Sequence, residues 1–439
     1  MCGIFGIYNK NSTNNIKKII KYLKRLQHRG KDGYGIVTYN DENFYENKYK
    51  GTINLNNNLF DFTRNIKIGI AHTRYTTSTK YINGNKTAIQ PLKENLNNFL
   101  TYLVHNGNII NIKTHDTYYL LNLIKNQKGT MDEKLTFIVN NVPAAFCLML
   151  IHNDSLYIVR DRFGIRPLCF GEDKKGWFIS SESCALPKNT YTRDVKPGEI
   201  IKISNNIFST IYQHPNPKMS LCSFELYYFL NDNSFVDGYY VKNIRKHLGK
   251  LLAEKEKITA KNYIVVGIPQ TGIYYGKEYA KQLNLDYKQY IYKDTSIGRT
   301  FILPNQETRI NECKKKFIYN CEKLKNKNII IVDDSIVRGN VIKSIIYNLK
   351  KCGVNEIHVR IPSPPVIDIC ELGIAIREKK ELLAYNNSIK NMEKELEINS
   401  LEYLYLNEID FFPKNTYNQC FSGKITNEIK KWKPIQVSL

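Results

Sequence analysis

The sequence has no run of 18 or more apolar residues, so nothing in it reads as a transmembrane helix. It has no secretory signal either: the opening MCGIFGIYNK offers too short an apolar stretch and no basic flank before it. Its ten cysteines form no CxxC pair. Without an export signal they are expected to stay reduced, as small buried hydrophobes rather than disulfides. No internal repeat is visible. Acidic residues are scarce: 41 Asp and Glu stand against 64 Lys and Arg, a net charge of +23. Such an excess can serve nucleic acid or a membrane surface. Here it comes with many Asn and Ile and 31 Tyr, all encoded by A/T-rich codons, and the longest basic run is KKK at 314–316. Neither a nucleic acid nor a membrane is therefore expected as partner; a small anionic substrate fits better. The same absences point to a cytoplasmic protein. What is present is ordinary for a soluble globular chain: 42% hydrophobic and 24% charged residues, over 439 residues, enough for two or three domains.

Residues 2–215 read as one unit. Short apolar runs at 3–8, 34–39, 67–72, 101–106, 145–151, 155–160, 176–180 and 199–204 predict strands. Helical periodicity predicts helices over Ile16–Leu26 and Thr117–Lys125. Many strands and few helices indicate an α+β domain. QHPNPK at 213–218 is a plausible linker. From 222 to 439 the pattern changes. Helices predicted at 241–256, 273–282 and 341–351 alternate with strands at 263–269, 328–334 and 356–362, which indicates a parallel α/β sheet. The charged stretch 377–398 predicts a solvated amphipathic helix.

Cys2 is the first candidate for chemistry. Removal of Met1 would place it at the amino terminus, where a free amine of pKa roughly 7.7–8.0 can act as base for its own thiol. A nucleophilic thiol needs an oxyanion site. HNGNI at 105–109 offers the Asn106 amide beside the Gly107 N–H, although an Asn-Gly turn is the commoner reason for that dipeptide. Arg74, ending a strand in HTRYTT, suits a carboxylate, and Asp116 suits an ammonium group; a surface ion pair and a helix cap are the plain alternatives. In IIIVDDSIVRGNV, a buried-type strand ends in Asp333 and Asp334. A loop with Ser335, Arg338 and Gly339 then feeds a helix beginning near Asn340. Strand ends and helix N-termini of this kind bind phosphorylated ligands, and paired carboxylates suit sugar hydroxyls or Mg²⁺. VVGIPQTG brings Pro269, Gln270, Thr271 and Gly272 to another strand end, able to cradle a pyrophosphate. YKDTSIGRTF, with Lys293 and Arg299, reads as a loop that closes on an anion.

MCGIFGI, LQHRGKDGYGI, HTRYTT, HNGNI, RDRFGIRPL, SESCAL, IGRTFI and VDDSIVRG, in that order, closely resemble the glutamine phosphoribosylpyrophosphate amidotransferases from residue 2 to about 424. The resemblance implies an N-terminal-nucleophile αββα sandwich joined to a type I phosphoribosyltransferase domain. It implies that glutamine, phosphoribosyl pyrophosphate (PRPP) and water give phosphoribosylamine, glutamate and pyrophosphate, the first committed step of purine synthesis. By position, Cys2 would attack glutamine, Asn106 and Gly107 would hold the oxyanion, and Arg74 and Asp116 would grip the α-carboxylate and α-amine. Arg29 and Gly30 would line the nucleophile's loop. Asp333 and Asp334 would meet the ribose and Mg²⁺, Ser335–Asn340 the 5′-phosphate, and Pro269–Gly272 the pyrophosphate, with Thr271 near the metal. Closure of the 293–308 loop would shelter ammonia. Inhibitory purine nucleotides and a homodimer or homotetramer are implied as well.

This chain departs from the family at Asp294-Thr295-Ser296, where Asn-Arg-Tyr is usual, at Asn340-Val341, where Thr-Thr is usual, and at Gln270, where an acid is common. One branch of the family holds a 4Fe-4S cluster. Cys222, Cys370 and Cys420 align with three of its ligands, but the fourth position is Tyr417. The cluster is then either bound incompletely or with another ligand, or lost, leaving the thiols as structural remnants. Because Cys2 directly follows Met1, maturation is expected to need only removal of Met1. The competing readings are a sugar-phosphate aminotransferase, which VDDSIVRG opposes, and a non-enzymatic PRPP sensor or nucleic-acid binder, which the joint presence of Cys2, Arg74, Asn106, Gly107 and Asp116 opposes.

Overall fold

The computed structural model describes residues 1–13, 16–55, 65–75, 89–112, 114–217, 220–259, 262–293, 317–372, 376, 378–410, 416–433 and 435–436. Arg299, Asp294-Thr295-Ser296 and most of the expected closing loop lie outside them.

The strands of the first half are β1 (Gly3–Thr13), β2 (Gly33–Tyr39), β3 (Phe44–Lys50), β4 (Ile66–Arg74), β5 (Leu92–Leu96), β6 (Phe99–Asn108), β7 (Ala145–His152), β8 (Ser155–Arg160), β9 (Cys169–Asp173), β10 (Gly176–Ser180), β11 (Tyr191–Asp194), β12 (Glu199–Ser204) and β13 (Ile207–Gln213). They make two antiparallel sheets, of order β11-β9-β10-β1-β4-β2-β3 and β13-β12-β8-β7-β6-β5. Alternate side chains explain the layering. Ile4, Ile68, Ile70, Val104, Met149 and Ile158 meet between the sheets. Phe5, Ile7 and Ala71 face the other way, onto Ile19, Ile20 and Leu23 of α1 (Ile16–Arg25). Leu103, Leu148 and Leu150 face α2 (Asp116–Asn126) and α3 (Met131–Asn141). Four layers, αββα, result. Helix α3 was not anticipated, yet its start is written in TMDE: Thr130 and Glu133 form a reciprocal capping box.

The second half is a five-stranded parallel sheet in the order 286–287, 263–267, 328–332, 356–361, 400–403. Helices α4 (Val241–Glu254) and α5 (Gly272–Leu283) pack beside it, and a helix over Asn340–Lys351 follows the central strand. Register pairs Val266 with Ile331 and Gly267 with Val332. The loops after both strands therefore leave the same sheet edge side by side, where open α/β sheets bind ligands.

Two expectations are corrected. The 377–398 stretch is not one helix: a single turn at Lys379–Glu381 and a helix at Ile389–Leu396 are separated by Leu382, Leu383 and Ala384. Those three are buried, Leu383 N–H bonds the Val337 carbonyl at 3.0 Å, and Asn386 has a positive φ that breaks the helix before its Ser388 cap. Burying an apolar triplet outweighs the helical propensity of the flanks. Nor are all cysteines reduced: Cys321 and Cys352, with Cα atoms 4.7 Å apart, are disulfide-bonded. They sit at the start of one helix and the end of another, brought together by the strand between them.

The halves are not separate bodies. One apolar cluster joins Met1, Ile110, Phe163 and Ile165 to Leu221, Phe224, Leu226 and Tyr227. The tail returns to the first half, where the Trp432 indole donates to the Asn141 carbonyl at 3.2 Å.

Candidate active site

Cys2 precedes the central strand β1, half-buried, with its thiol 3.8 Å from the Tyr75 carbonyl oxygen. Burial pushes this thiol up, while the positive amino terminus and Arg74 pull it down. At neutral pH it is a thiol awaiting a base, not a standing thiolate. Arg74 ends the neighbouring β4, where burial lowers its pKa and the Cys2 and Asp32 charges work against that. Asp116 opens α2, facing His105 Nδ1 at 3.7 Å and His115 Nδ1 at 3.5 Å. Its charge and that of Arg74 both reach Cys2, so the structure gathers the three residues that the sequence nominated.

Asn106 is on β6, 1% exposed, and its amide nitrogen has no hydrogen-bond partner. A buried amide left unpaired costs about 1–3 kcal/mol unless something else uses it. Gly107 must be glycine: a Cβ there would collide with the Ala145 carbonyl and the His105 ring. Gly30 is held likewise, since a Cβ would strike the Arg74 backbone. Three histidines that sequence reasoning passed over enclose the site. His72, His105 and His115 are all pushed below the ordinary value, first by burial, so they are neutral near pH 7. His72 has neither ring nitrogen hydrogen-bonded. The signal was there in HTR and HNG, but periodicity gave no reason to single out these rings.

Arg29 lies underneath the nucleophile rather than in the open site. It is fully buried, and its Nε donates to the Cys2 carbonyl at 2.8 Å. Its other nitrogens meet Glu182 at 2.6 Å and Glu225 at 2.8 Å. RDRFGIRPL is also a support. The Asp161 carboxylate accepts from the backbone of Phe146, Phe163 and Ile165, and burial pushes it up to about 6.

In the second half, Asp333 and Asp334 are buried at the strand end. The hydroxyls of Thr271 and Ser335 both donate to Asp334. Burial pushes the Asp334 carboxyl up, against those hydroxyls and the Arg245 charge. Thr271 thus reaches across from the neighbouring loop, joining the two nominated segments; the Pro269–Gln270 peptide in that loop is cis. Gly339, at φ 79°, turns the chain into the 340–351 helix, whose first N–H groups have no partner within the helix. Arg338 is tied to Glu381 at 2.6 Å. Lys293 ends a short strand at the border of the described residues.

A glutamine amidotransferase domain model matches residues 77–188, and a phosphoribosyl transferase domain model matches residues 239–361. The amidophosphoribosyltransferase of Methanocaldococcus jannaschii is 33% identical, over 98% of both chains. The human one is 32% identical over 92% of this chain and 87% of its own. A structure titled as the PRPP amidotransferase of B. subtilis complexed with ADP and GMP has a TM-score of 0.85 at 29% identity, covering 96% of this chain and 97% of that one. The chain belongs to the amidophosphoribosyltransferase family. As a member it is a glutamine-dependent enzyme, with glutamine and PRPP as substrates. The family favours this over a sensor or nucleic-acid binder on the same scaffold. Among the described residues, no helix is long and apolar enough to cross a membrane.

The family's cluster-binding thiols are gathered here without forming its ligand set. Cys222, Cys370 and Cys420 lie close enough to shift one another, and burial pushes Cys222 up to about 12. The fourth corner is Tyr417, paired with Cys222 by a β-bridge and donating its hydroxyl to Gln419. All four pack in the apolar cluster between the halves. Among the described residues, no three His, Cys, Asp or Glu are arranged to hold a metal ion. The residues do not fit a four-thiolate cluster.

Proposed function

We propose that Cys2, freed by removal of Met1, uses its own α-amine as base and attacks the glutamine side-chain amide. Asn106 and Gly107 stabilise the oxyanion, worth about 10²–10³ in rate for one such donor. Arg74 and Asp116 bind the α-carboxylate and α-amine, and the neutral histidines keep competing positive charge away from that ammonium. The observation that carries this reading is the buried, unpartnered amide of Asn106. It stands ready where charge develops and spends no hydrogen bond before the reaction.

Ammonia then displaces pyrophosphate from C1 of PRPP: the C1–O bond breaks, a C1–N bond forms, and the nitrogen gives up one proton to the leaving pyrophosphate or solvent. The Asp333–Asp334 pair and Thr271 suit Mg²⁺, a hard cation held by one or two carboxylates together with substrate phosphates. Bound there, it would supply charge stabilisation to the leaving pyrophosphate. The N–H groups of residues 335–340 bind the 5′-phosphate, and Pro269–Gly272 the pyrophosphate. Lys293, and Arg299 outside the described residues, are the basic side chains assigned to the anionic substrate. The ADP and GMP in the B. subtilis structure support purine nucleotides as inhibitors here. A homo-oligomer in the cytoplasm completes the reading.

The test is glutamate and pyrophosphate release from glutamine with Mg²⁺, with and without PRPP, beside Cys2→Ala. Equal release of both, dependent on PRPP and on Cys2, is expected. Glutamate alone, indifferent to PRPP, would overturn the reading of the second site.

A further inference from the structure

Arg29 is a residue of the first half with a partner in each half. From the first half Glu182 takes one end of the guanidinium. From the second half Glu225 takes Nη2 at 2.8 Å and shares Nη1 with Glu182 at 3.1 Å. All three side chains are fully buried. The N–H on Nε holds the Cys2 carbonyl. The backbone of the nucleophile is thus hung on a charge pair between the halves.

Glu225 begins a single wide turn over Glu225–Phe229. The segment that follows grips the same cluster again: the Asn231 N–H and the Ser234 hydroxyl donate to the free oxygen of Glu182 at 2.8 and 2.7 Å. The turn is in turn held from the phosphoribosyl site. Arg245, buried on α4, donates to the carbonyls of Leu226 and Leu230 and pairs with Asp232, while its charge faces Asp334. Tyr275, one turn into the helix that Thr271 precedes, donates to the Tyr227 carbonyl at 2.9 Å. Both loops of the second site therefore reach the 225–234 segment through one buried side chain each. That segment reaches Cys2 through Arg29.

We propose that Glu225 is a positioning residue for the Cys2 nucleophile, acting through Arg29, and that the 225–234 segment couples occupancy of the phosphoribosyl site to glutamine hydrolysis. The proposal rests on the two-site reading above. A buried, hydrogen-bonded ion pair is geometrically strict, and displacement of a reacting group by about 1 Å can cost 10²-fold. A ligand that draws Asp334 or α5 by a few tenths of an ångström has a stiff route to the nucleophile.

The experiment uses Glu225→Gln, Glu225→Asp and Ser234→Ala in the full chain. Three rates are measured: glutamine hydrolysis alone, glutamine hydrolysis with PRPP and Mg²⁺, and pyrophosphate release from PRPP with ammonium salt in place of glutamine. In Glu225→Gln the ammonia-driven rate should stay within about twofold, which also reports an intact fold. Glutamine kcat should fall roughly tenfold or more with KM little changed, and stimulation by PRPP should drop towards one. Glu225→Asp should recover part of that stimulation. Ser234→Ala, a milder loss, should halve it or more without changing the ammonia-driven rate. Full stimulation in Glu225→Gln, or equal loss of all three rates in both Glu225→Gln and Ser234→Ala, overturns the coupling. Absence of pyrophosphate release by the unaltered chain with either amine source would overturn the proposed function itself, a separate result.

Discussion

In the first half neutral, buried histidines stand beside the Arg74 and Asp116 charges that reach the thiol, whereas in the second half the chemistry stands at strand ends between a carboxylate pair and a buried arginine. His72, His105 and His115 are uncharged around Cys2, and the oxyanion donor is unpaired. At the second site Asp334 is already spanned by two hydroxyls and faces Arg245. The contrast fits the two reactions. Attack on an amide gains from fixed dipoles that need no rearrangement. Departure of pyrophosphate involves large charges that arrive with the substrate, so the protein must receive a metal and phosphates rather than pre-empt them.

Separate chemistry predicts separable loss. Cys2→Ala should lower glutamine-dependent pyrophosphate release by about 10³-fold or more and leave the ammonia-driven reaction intact. Asp334→Asn should lower both, by about 10²-fold, because no amine source bypasses it. The pair of assays breaks the comparison if Cys2→Ala lowers the ammonia-driven rate as well. Asn106→Ala comes next, with about 10²–10³ lost in glutamine kcat and little change in KM. A rise in KM with kcat kept would mean that the amide binds ground-state glutamine instead. Arg74→Lys should act the other way, lowering kcat/KM roughly tenfold through KM, since an ammonium cannot replace a bidentate fork.

Legibility differed between the halves for a physical reason. Strand–helix alternation and VDDSIVRG exposed the parallel sheet and its loop, because buried parallel strands read as plain apolar runs. In the first half, the order of motifs nominated Cys2, Arg74, Asn106 and Asp116, and the structure gathers Cys2, Arg74 and Asp116 while leaving the Asn106 amide unpaired. What sequence could not show is which charged residues look inward. Arg29 stands in a motif and is expected to line the nucleophile's loop; its partners, 153 and 196 residues away, make it a buried support beneath that loop. Glu225 sits in CSFELYYF with no local pattern to mark it. Long-range ion pairs leave no periodicity, and the break in 377–398 depended on apolar burial beneath a charged surface.

The smallest expected effect concerns acid. In the first half, burial lowers His152 to about 4, joining the three histidines around Cys2; in the second half His358 is lowered too, and the Arg360 pair holds the half-buried Glu256 down to about 2 against its burial. Between pH 6.5 and 4 the unfolded chain binds a proton at position 152 that the folded chain refuses, so stability falls as pH drops through that window. Glu256 loses its contribution only below 4.5, as pH falls towards 2. Asp161, pushed up to about 6, works the other way in the same half, and His358 gives the second half a loss of the same sign, so position 152 itself is the testable contribution. Trp177 packs within the first half and Trp432 against clusters of both, so their fluorescence reports loss of the joint fold. The urea midpoint by that signal should drop between pH 7 and 5, and less so in His152→Gln. Between pH 7 and 5 the difference should be on the order of 1–2 kcal/mol. An equal drop in His152→Gln would move the acid sensitivity to the histidines around the nucleophile, and pH would then act on the site before it acts on the fold.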